Sequence, residues 1–368
     1  MRILVVTTWY PSPEDPGATP FVPRHVAAIN RDHDVHVVHV RLMSGAAVTE
    51  EVFNGVRVTR VGFDPRKPLS MVRAVREIRR WANFSDVVHT MAFSSALVAA
   101  PAVFGRPWVH TEHWNGVLYP DTVNRWWERA AWLRHVLRLP TLVTGVSSLM
   151  NETLTAFART GRVRALGNVV DFGGSPERAP RNPDEIELVS VGSLIPRKGP
   201  LVAVETVSWL RERGVRASLT WDGTGPLLQT CEELAASLGV APFVTFNGFR
   251  EPAGVQQDLA RADVFVLPTK SETFCVAAAE ALAAGCPVVM GDRGGQRDFV
   301  TDSNGRLVHT RSAQDYARAV MEVVDGEGMA SPQELAREIR ARYGVDAVVE
   351  QLNALYEEAR SLARVGAR

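Results

Sequence analysis

Ser271-Glu272-Thr273-Phe274-Cys275-Val276-Ala277-Ala278-Ala279-Glu280-Ala281-Leu282-Ala283-Ala284-Gly285-Cys286-Pro287-Val288-Val289 is the stretch on which the reading of this chain turns. Two carboxylates, Glu272 and Glu280, stand eight positions apart. The first follows the apolar run Val264-Phe265-Val266-Leu267 and a short loop, Pro268-Thr269-Lys270. The second lies in an alanine-rich segment that Gly285 closes, at the place where a left-handed residue ends a helix. A new apolar run starts at once. The pattern is strand, loop, helix, strand. Such a loop collects backbone N–H groups and the positive end of a helix dipole at one point, which suits a phosphate. Glu280 falls about a turn and a half into the helix, roughly 8 Å along its axis at ~1.5 Å per residue. That is a fitting reach from a phosphate to the hydroxyls of its ribose. The layout reads as a site for a nucleotide that carries a sugar.

Outward from this stretch, short Val-rich runs recur in two series. The first comprises Ile3–Thr7, Val35–Val40, Val56–Val61, Val87–His89, Trp108–Thr111 and Thr141–Val146; the second, Leu188–Val191, Ala217–Trp221, Phe243–Phe246, Val264–Leu267, Pro287–Met290 and Arg306–Val308. Runs of this kind predict parallel strands buried on both faces, and the long connections predict helical crossovers. The Gly/Pro-rich segment Asp171–Asp184 separates the series and reads as a linker. Helical spacing through Val349, Leu352, Leu355 and Tyr356 predicts a tail helix. The expected organisation is α/β, with domains 1–171 and 172–345 and a tail helix at 346–368. The junction near Asn168–Pro183, with Gly173 and Gly174, is expected to act as a hinge.

The chain has 368 residues, 46% hydrophobic and 22% charged, enough for two cores. Its formal net charge is zero, which removes any overall electrostatic argument for nucleic acid. Three cysteines, Cys231, Cys275 and Cys286, are odd in number and lack metal-binding spacing, as expected of reduced cytosolic thiols. No apolar run reaches the ~18 residues of a membrane span, and none resembles a signal peptide. The expected location is cytoplasmic. Lysine is rare: Lys67, Lys198 and Lys270 are the three, and every other basic side chain is arginine. With the high alanine content, this suggests a GC-rich bacterial genome. A lysine kept against that bias invites a specific explanation, and two of the three lie near the expected phosphate loops.

In this setting Glu-(x)7-Glu resembles the signature of the family-4 retaining glycosyltransferases. Gly192-Ser193-Leu194-Ile195-Pro196-Arg197-Lys198-Gly199, Asp222-Gly223-Thr224-Gly225-Pro226, Val244-Thr245-Phe246-Asn247-Gly248, Gly294-Gly295 and Asn304-Gly305-Arg306-Leu307-Val308 continue the resemblance in the family's order. It implies two Rossmann-like parallel-sheet domains facing a central cleft, the GT-B fold, with a C-terminal helix crossing back to the first domain. It implies transfer of a sugar from a nucleoside-diphosphate sugar, UDP-sugar favoured, to an acceptor hydroxyl. The acceptor class stays open among small molecules, lipids and polysaccharides. No cofactor and no metal are implied.

By the same resemblance, Lys198 neutralises the leaving diphosphate, Glu272 hydrogen-bonds the transferred sugar and Glu280 accepts from the ribose hydroxyls. Gly192, Gly223, Phe274, Cys275 and Val276 border the donor, Phe274 and Val276 through backbone N–H groups. Ser193 departs from the family, which usually has arginine there; Arg197 or Arg293 is a substitute cation. Cys275 replaces a common glycine and narrows the loop; no partner is visible that would activate its thiol. His113, after the strand ending in Trp108-Val109-His110-Thr111-Glu112, matches the family histidine near the reacting centre. Trp9, Tyr10, Gly17 and Trp114 are assigned to the acceptor side. His110 and His89 read more readily as structural residues, as do Asn168 and Asp171 at the domain junction. Zinc lacks a third ligand at recognisable spacing.

Leu69–Phe84 sets Arg73, Arg76, Arg79 and Arg80 against Val72, Val75 and Ile78. The pattern suits a solvated outer helix, the preferred reading, or a peripheral contact with anionic lipid at the inner membrane face. Trp126, Trp127 and Trp132 with Arg129, Arg134 and Arg138 form a second basic aromatic segment. Two rivals accompany the glycosyltransferase reading: a nucleotide-sugar epimerase on the same fold, and a non-catalytic nucleotide-sugar-binding protein.

Overall fold

The computed structural model describes residues 1–12, 21–172 and 184–366. Gly17, Gly173 and Gly174 lie outside them. The chain divides into two compact units, Met1–Val169 with Val345–Arg368, and Val170–Gly344.

The first unit is built on eight strands: β1 (Arg2–Thr7), β2 (Asp34–Leu42), β3 (Thr49–Phe53), β4 (Val56–Phe63), β5 (Val87–Met91), β6 (Trp108–Glu112), β7 (Leu142–Gly145) and β8 (Val163–Ala165). They lie in the order β3-β4-β2-β1-β5-β6-β7-β8. Every pairing is parallel except β3 with β4, an antiparallel hairpin at the sheet edge. Between the strands run α1 (Phe21–Asn30), α2 (Pro68–Ala82), α3 (Phe93–Val103), α4 (Asn115–Leu118), α5 (Arg125–Ala130) and α6 (Ser148–Thr155). Ile3 and Val5 of β1 belong to one core, with α1, while Leu4 and Val6 belong to the other, with α2 and α3. That alternation is why β1 reads as an unbroken apolar run.

The second unit contains β9 (Ile186–Val191), β10 (Ala217–Asp222), β11 (Val244–Gly248), β12 (Val264–Leu267), β13 (Val288–Gly291) and β14 (Gly305–Val308). Its helices are α7 (Pro200–Glu212), α8 (Leu228–Ser237), α9 (Pro252–Arg261), α10 (Val276–Ala283), α11 (Ala313–Asp325) and α12 (Pro332–Tyr343). The sheet is wholly parallel, ordered β11-β10-β9-β12-β13-β14. Strand order therefore reverses between β9 and β12, and the crevice beyond the carboxyl ends of such a pair is where open α/β sheets bind ligands. In the first sheet the same reversal falls between β1 and β5.

The tail helix α13 (Val345–Gly366) returns to the first unit. Val348, Leu352, Tyr356 and Ala359 are buried in the same core as α1. Polar contacts fix its register: Arg31 pairs with Asp346 at 2.6 Å, His33 Nε2 meets Asn353 Oδ1 at 2.6 Å, and the Tyr356 hydroxyl meets His89 Nδ1 at 2.8 Å.

Candidate active site

The loops after β9 and β12 adjoin the reversal of the second sheet and carry the charged residues singled out above. After β9 the chain turns at Gly192, whose N–H donates to the Asp222 carbonyl at 2.9 Å and whose own carbonyl accepts from Trp221 Nε1 at 2.8 Å. Gly223 abuts it: a Cβ there would stand 2.1 Å from the Gly192 oxygen, at φ +147°. Backbone passes backbone at this point, and only glycine fits. Gly199 then takes a left-handed conformation and Pro200 opens α7.

Lys198 and Arg197 precede that turn, and both reach across to the loop after β12. Lys198 Nζ donates to Glu272 Oε1 at 2.7 Å, Arg197 Nη1 donates to the same oxygen at 3.1 Å, and Thr269 Oγ1 donates to it at 2.7 Å. Arg197 Nη1 also donates to the Ser271 carbonyl at 2.6 Å, and the Lys270 N–H to the Arg197 carbonyl at 2.7 Å. Glu272 is 6% exposed. Burial acts to raise its pKa, but the charges of Lys198 and Arg197 outweigh that and hold it below the ordinary glutamate value. Its backbone is pinned as well, the N–H to the Arg293 carbonyl and the carbonyl to the Gly295 N–H, each at 3.1 Å. Arg197 thus brings a second cation to the site, while Ser193 is exposed.

Cys275 caps α10 at φ +73° and ψ +74°, a left-handed conformation that explains why glycine is the usual residue there. Burial pushes its thiol up to about 12, so it stays a thiol at neutral pH. Phe274 packs its ring on Phe299 and Tyr343, at centroid distances of 5.2 and 4.9 Å. Its side chain is core, which leaves only its backbone for a ligand. The first N–H groups of α10, starting at Val276, have no intrahelical partner. Glu280 lies on this helix, half-buried.

At the carboxyl end of β10, Asp222 forms a cluster that sequence reading did not foresee. Its Oδ1 accepts from Asn247 Nδ2 at 2.7 Å, while Oδ2 is buried with no well-shaped hydrogen bond. Asp258 stands beside it, paired to Arg250 at 2.9 Å. Burial, with the Asp258 charge adding to it, pushes Asp222 up to about 6.

In the first unit, His113 follows β6. Its N–H and that of Trp114 donate to Glu112 Oε1 at 2.9 and 2.8 Å. The imidazole stacks on Phe21 at 4.7 Å and meets the His25 ring edge-on at 5.3 Å. Neither ring nitrogen forms a well-shaped hydrogen bond with a described residue. Asn168 stands near enough to favour protonation, but burial and the neighbouring His25, His89 and His110 dominate and hold the ring neutral. Phe21 and His25 are partners that the sequence did not disclose, because α1 brings them from far along the chain. His110 is buried and bonded to Thr90 and Glu112, and His89 is buried between Thr111 and Tyr356. Tyr10 requires a correction: its ring is buried against Phe53 and His39, so it packs the core and has no face for an acceptor. Trp9 is half-buried with its edge on Phe21, and Trp114 packs on Phe93 and Trp127. Among the described residues no cluster of three His, Cys, Asp or Glu side chains has metal-binding geometry.

Comparison with known proteins agrees with this layout. The profile for "Glycosyl transferases group 1" matches residues 174–342, and that for "Glycosyl transferase 4-like domain" matches residues 16–169. A GDP-mannose-dependent alpha-mannosyltransferase of Mycolicibacterium smegmatis is 30% identical over 383 residues, covering 94% of this chain and 92% of that protein. A GDP-mannose-dependent alpha-(1-6)-phosphatidylinositol monomannoside mannosyltransferase of Mycobacterium tuberculosis is 35% identical over 145 residues, a match spanning 37% of this chain and only 38% of that relative. The solved sucrose-phosphate synthase of Thermosynechococcus elongatus superposes with a TM-score of 0.78 at 19% identity, over 97% of this chain and 99% of that one, which establishes a shared fold. The chain belongs to the family-4 glycosyltransferases and has their GT-B fold.

Proposed function

We propose that this chain moves a hexose from a nucleoside-diphosphate hexose to an acceptor hydroxyl, with retention at the anomeric carbon. The carrying observation is the convergence of Lys198, Arg197 and Glu272 beside the reversal of the second sheet, where the loop after β9 meets the loop that leads into α10. Lys198 and Arg197 take up the charge of the leaving diphosphate, together with the first N–H groups of α10. Glu280 receives the ribose hydroxyls and Glu272 the hydroxyls of the hexose. His113, with Trp9 and Trp114, belongs to the acceptor side. Protein groups do the work that a bound metal ion does elsewhere. UDP, which the family resemblance favours, has no specific support. The names of both mycobacterial relatives specify GDP-mannose, which is the first donor to test.

Purified protein incubated with GDP-mannose, UDP-glucose and UDP-N-acetylglucosamine, each with and without acceptors, separates the readings. Release of nucleoside diphosphate that depends on an acceptor supports transfer. An acceptor-independent isomer of the donor means an epimerase, and binding without turnover means a sensor. Activity should persist in excess chelator; loss restored by Mg²⁺ or Mn²⁺ overturns the metal-independent mechanism.

We further propose peripheral contact with anionic lipid through the helical layer around α2. Ile78 of α2 is buried, whereas Val72 shares the exposed face with Leu69, Arg73 and Arg76. Farther along, Trp126, Arg129, Trp132, His135 and Arg138 recur every third residue and are all exposed, the two tryptophans at 71% and 67%. Trp127 and Arg134, grouped with them on sequence grounds, turn inward instead: Trp127 Nε1 donates to the Gly116 carbonyl and Arg134 Nη1 to that of Val117. Exposed tryptophan beside arginine suits the headgroup level of a bilayer. Sedimentation with phosphatidylglycerol vesicles, but not with pure phosphatidylcholine, is expected. Failure to sediment with either makes this an ordinary solvated face.

A further inference from the structure

Both cations of the phosphate loop are engaged by one oxygen of one buried carboxylate. Lys198 and Arg197 meet Glu272 Oε1 at 2.7 and 3.1 Å, and their side chains are mostly covered. An arriving diphosphate finds these cations already neutralised. It must compete with Glu272 for them.

We propose that Glu272 is an internal counter-anion: the diphosphate of the ligand displaces it from Lys198 and Arg197, and the hydroxyls of the donor hexose replace the cations as its partners. The proposal rests on the nucleotide-sugar reading of this site. Its consequence is a difference between donor and product. A bare nucleoside diphosphate takes the cations and leaves a buried carboxylate with little besides Thr269 to satisfy it, which is costly. An intact nucleotide sugar brings hydroxyl donors, and hydrogen bonds to a charged acceptor are the stronger kind. Glu272 therefore makes the site favour the loaded donor over the spent one, and its return to Lys198 helps expel the product after transfer.

The test is calorimetric titration of GDP and GDP-mannose, and of UDP and UDP-glucose, into wild-type protein and Glu272→Gln. The variant should bind the bare diphosphate about tenfold more tightly and the nucleotide sugar more weakly, the scale expected of a hydrogen bond to a charged group. Unchanged or weaker diphosphate binding in a folded variant overturns the proposal. So does a wild-type protein that binds its bare diphosphate at least as tightly as its nucleotide sugar, a readout that does not depend on the variant folding. If neither the nucleoside diphosphates nor the nucleotide sugars bind wild-type protein, the nucleotide-sugar reading itself fails, and the proposal fails with it.

Discussion

Lys198 lies 74 residues before Glu272 in the chain and 2.7 Å from it in space. The sequence sets each on a loop that follows a strand; that they neutralise one another depends on the order of strands, which no local pattern records. Lys198→Ala is expected to lower turnover by about 10²-fold or more, the range for losing one preorganised charge-stabilising group, as initial rates with saturating donor would show. Glu280→Gln should weaken binding of the bare nucleoside diphosphate, the opposite direction to Glu272→Gln, and calorimetry distinguishes the two. Asp222 gives a third prediction. Its pKa of about 6 in the fold exceeds the ~3.9 of an unfolded aspartate, so its contribution to stability is lost as pH rises between those values. Asp222→Asn should therefore raise the thermal midpoint at pH 8 more than at pH 5. An equal change at both pH values would show that the carboxylate titrates normally.

At the level of elements, the strands lining both crevices were legible because burial on two faces makes them apolar throughout. β3 was not. Thr49-Glu50-Glu51-Val52-Phe53 is an edge strand, largely exposed, and its two adjacent glutamates mask any alternation. β8 has three residues, too few for a period to appear. Gly285 marks the stop of α10 in the sequence, but the crowding around it is not legible there. Gly285 takes φ +74°, and a Cβ there would stand 2.8 Å from the Cβ and carbonyl oxygen of Pro332 at the start of α12. Gly285→Ala should cost more than the ~1 kcal/mol of a left-handed alanine alone. Denaturant unfolding measures this; a change below that value would mean that α12 yields freely. The arginine face of α2 was visible in the sequence, whereas the turning of Val72 outward and Ile78 inward follows from how the helix packs on α3 and β4.

Across the whole molecule, the histidines respond to acid. Burial first, then neighbouring positive charge, holds His36 and His39 at about 4. His89 and His113 are lowered for the same reasons, and His25 by burial. All five belong to the first unit. An unfolded histidine titrates near ~6.5, so below that pH the unfolded chain binds more protons than the folded one. Stability from these residues is complete above about pH 6.5 and declines as pH falls, for His36 and His39 until about pH 4. Thermal melts should show a midpoint several degrees lower at pH 5 than at pH 7.5, before any loss attributable to carboxylates. A midpoint that holds steady over that interval would mean the rings are hydrated and protonated without penalty.

The central claim is that the carboxyl ends of β9 and β12, with α10, bind the nucleoside diphosphate of a sugar donor and support its transfer. It is tested most directly by measuring nucleoside diphosphate release from GDP-mannose and the UDP-sugars, with an acceptor panel, in wild-type protein and Lys198→Ala. The account predicts acceptor-dependent release from at least one donor by wild-type protein, about 10²-fold slower in the variant. Release at equal rates by both proteins, or equal release with and without acceptor, would contradict it.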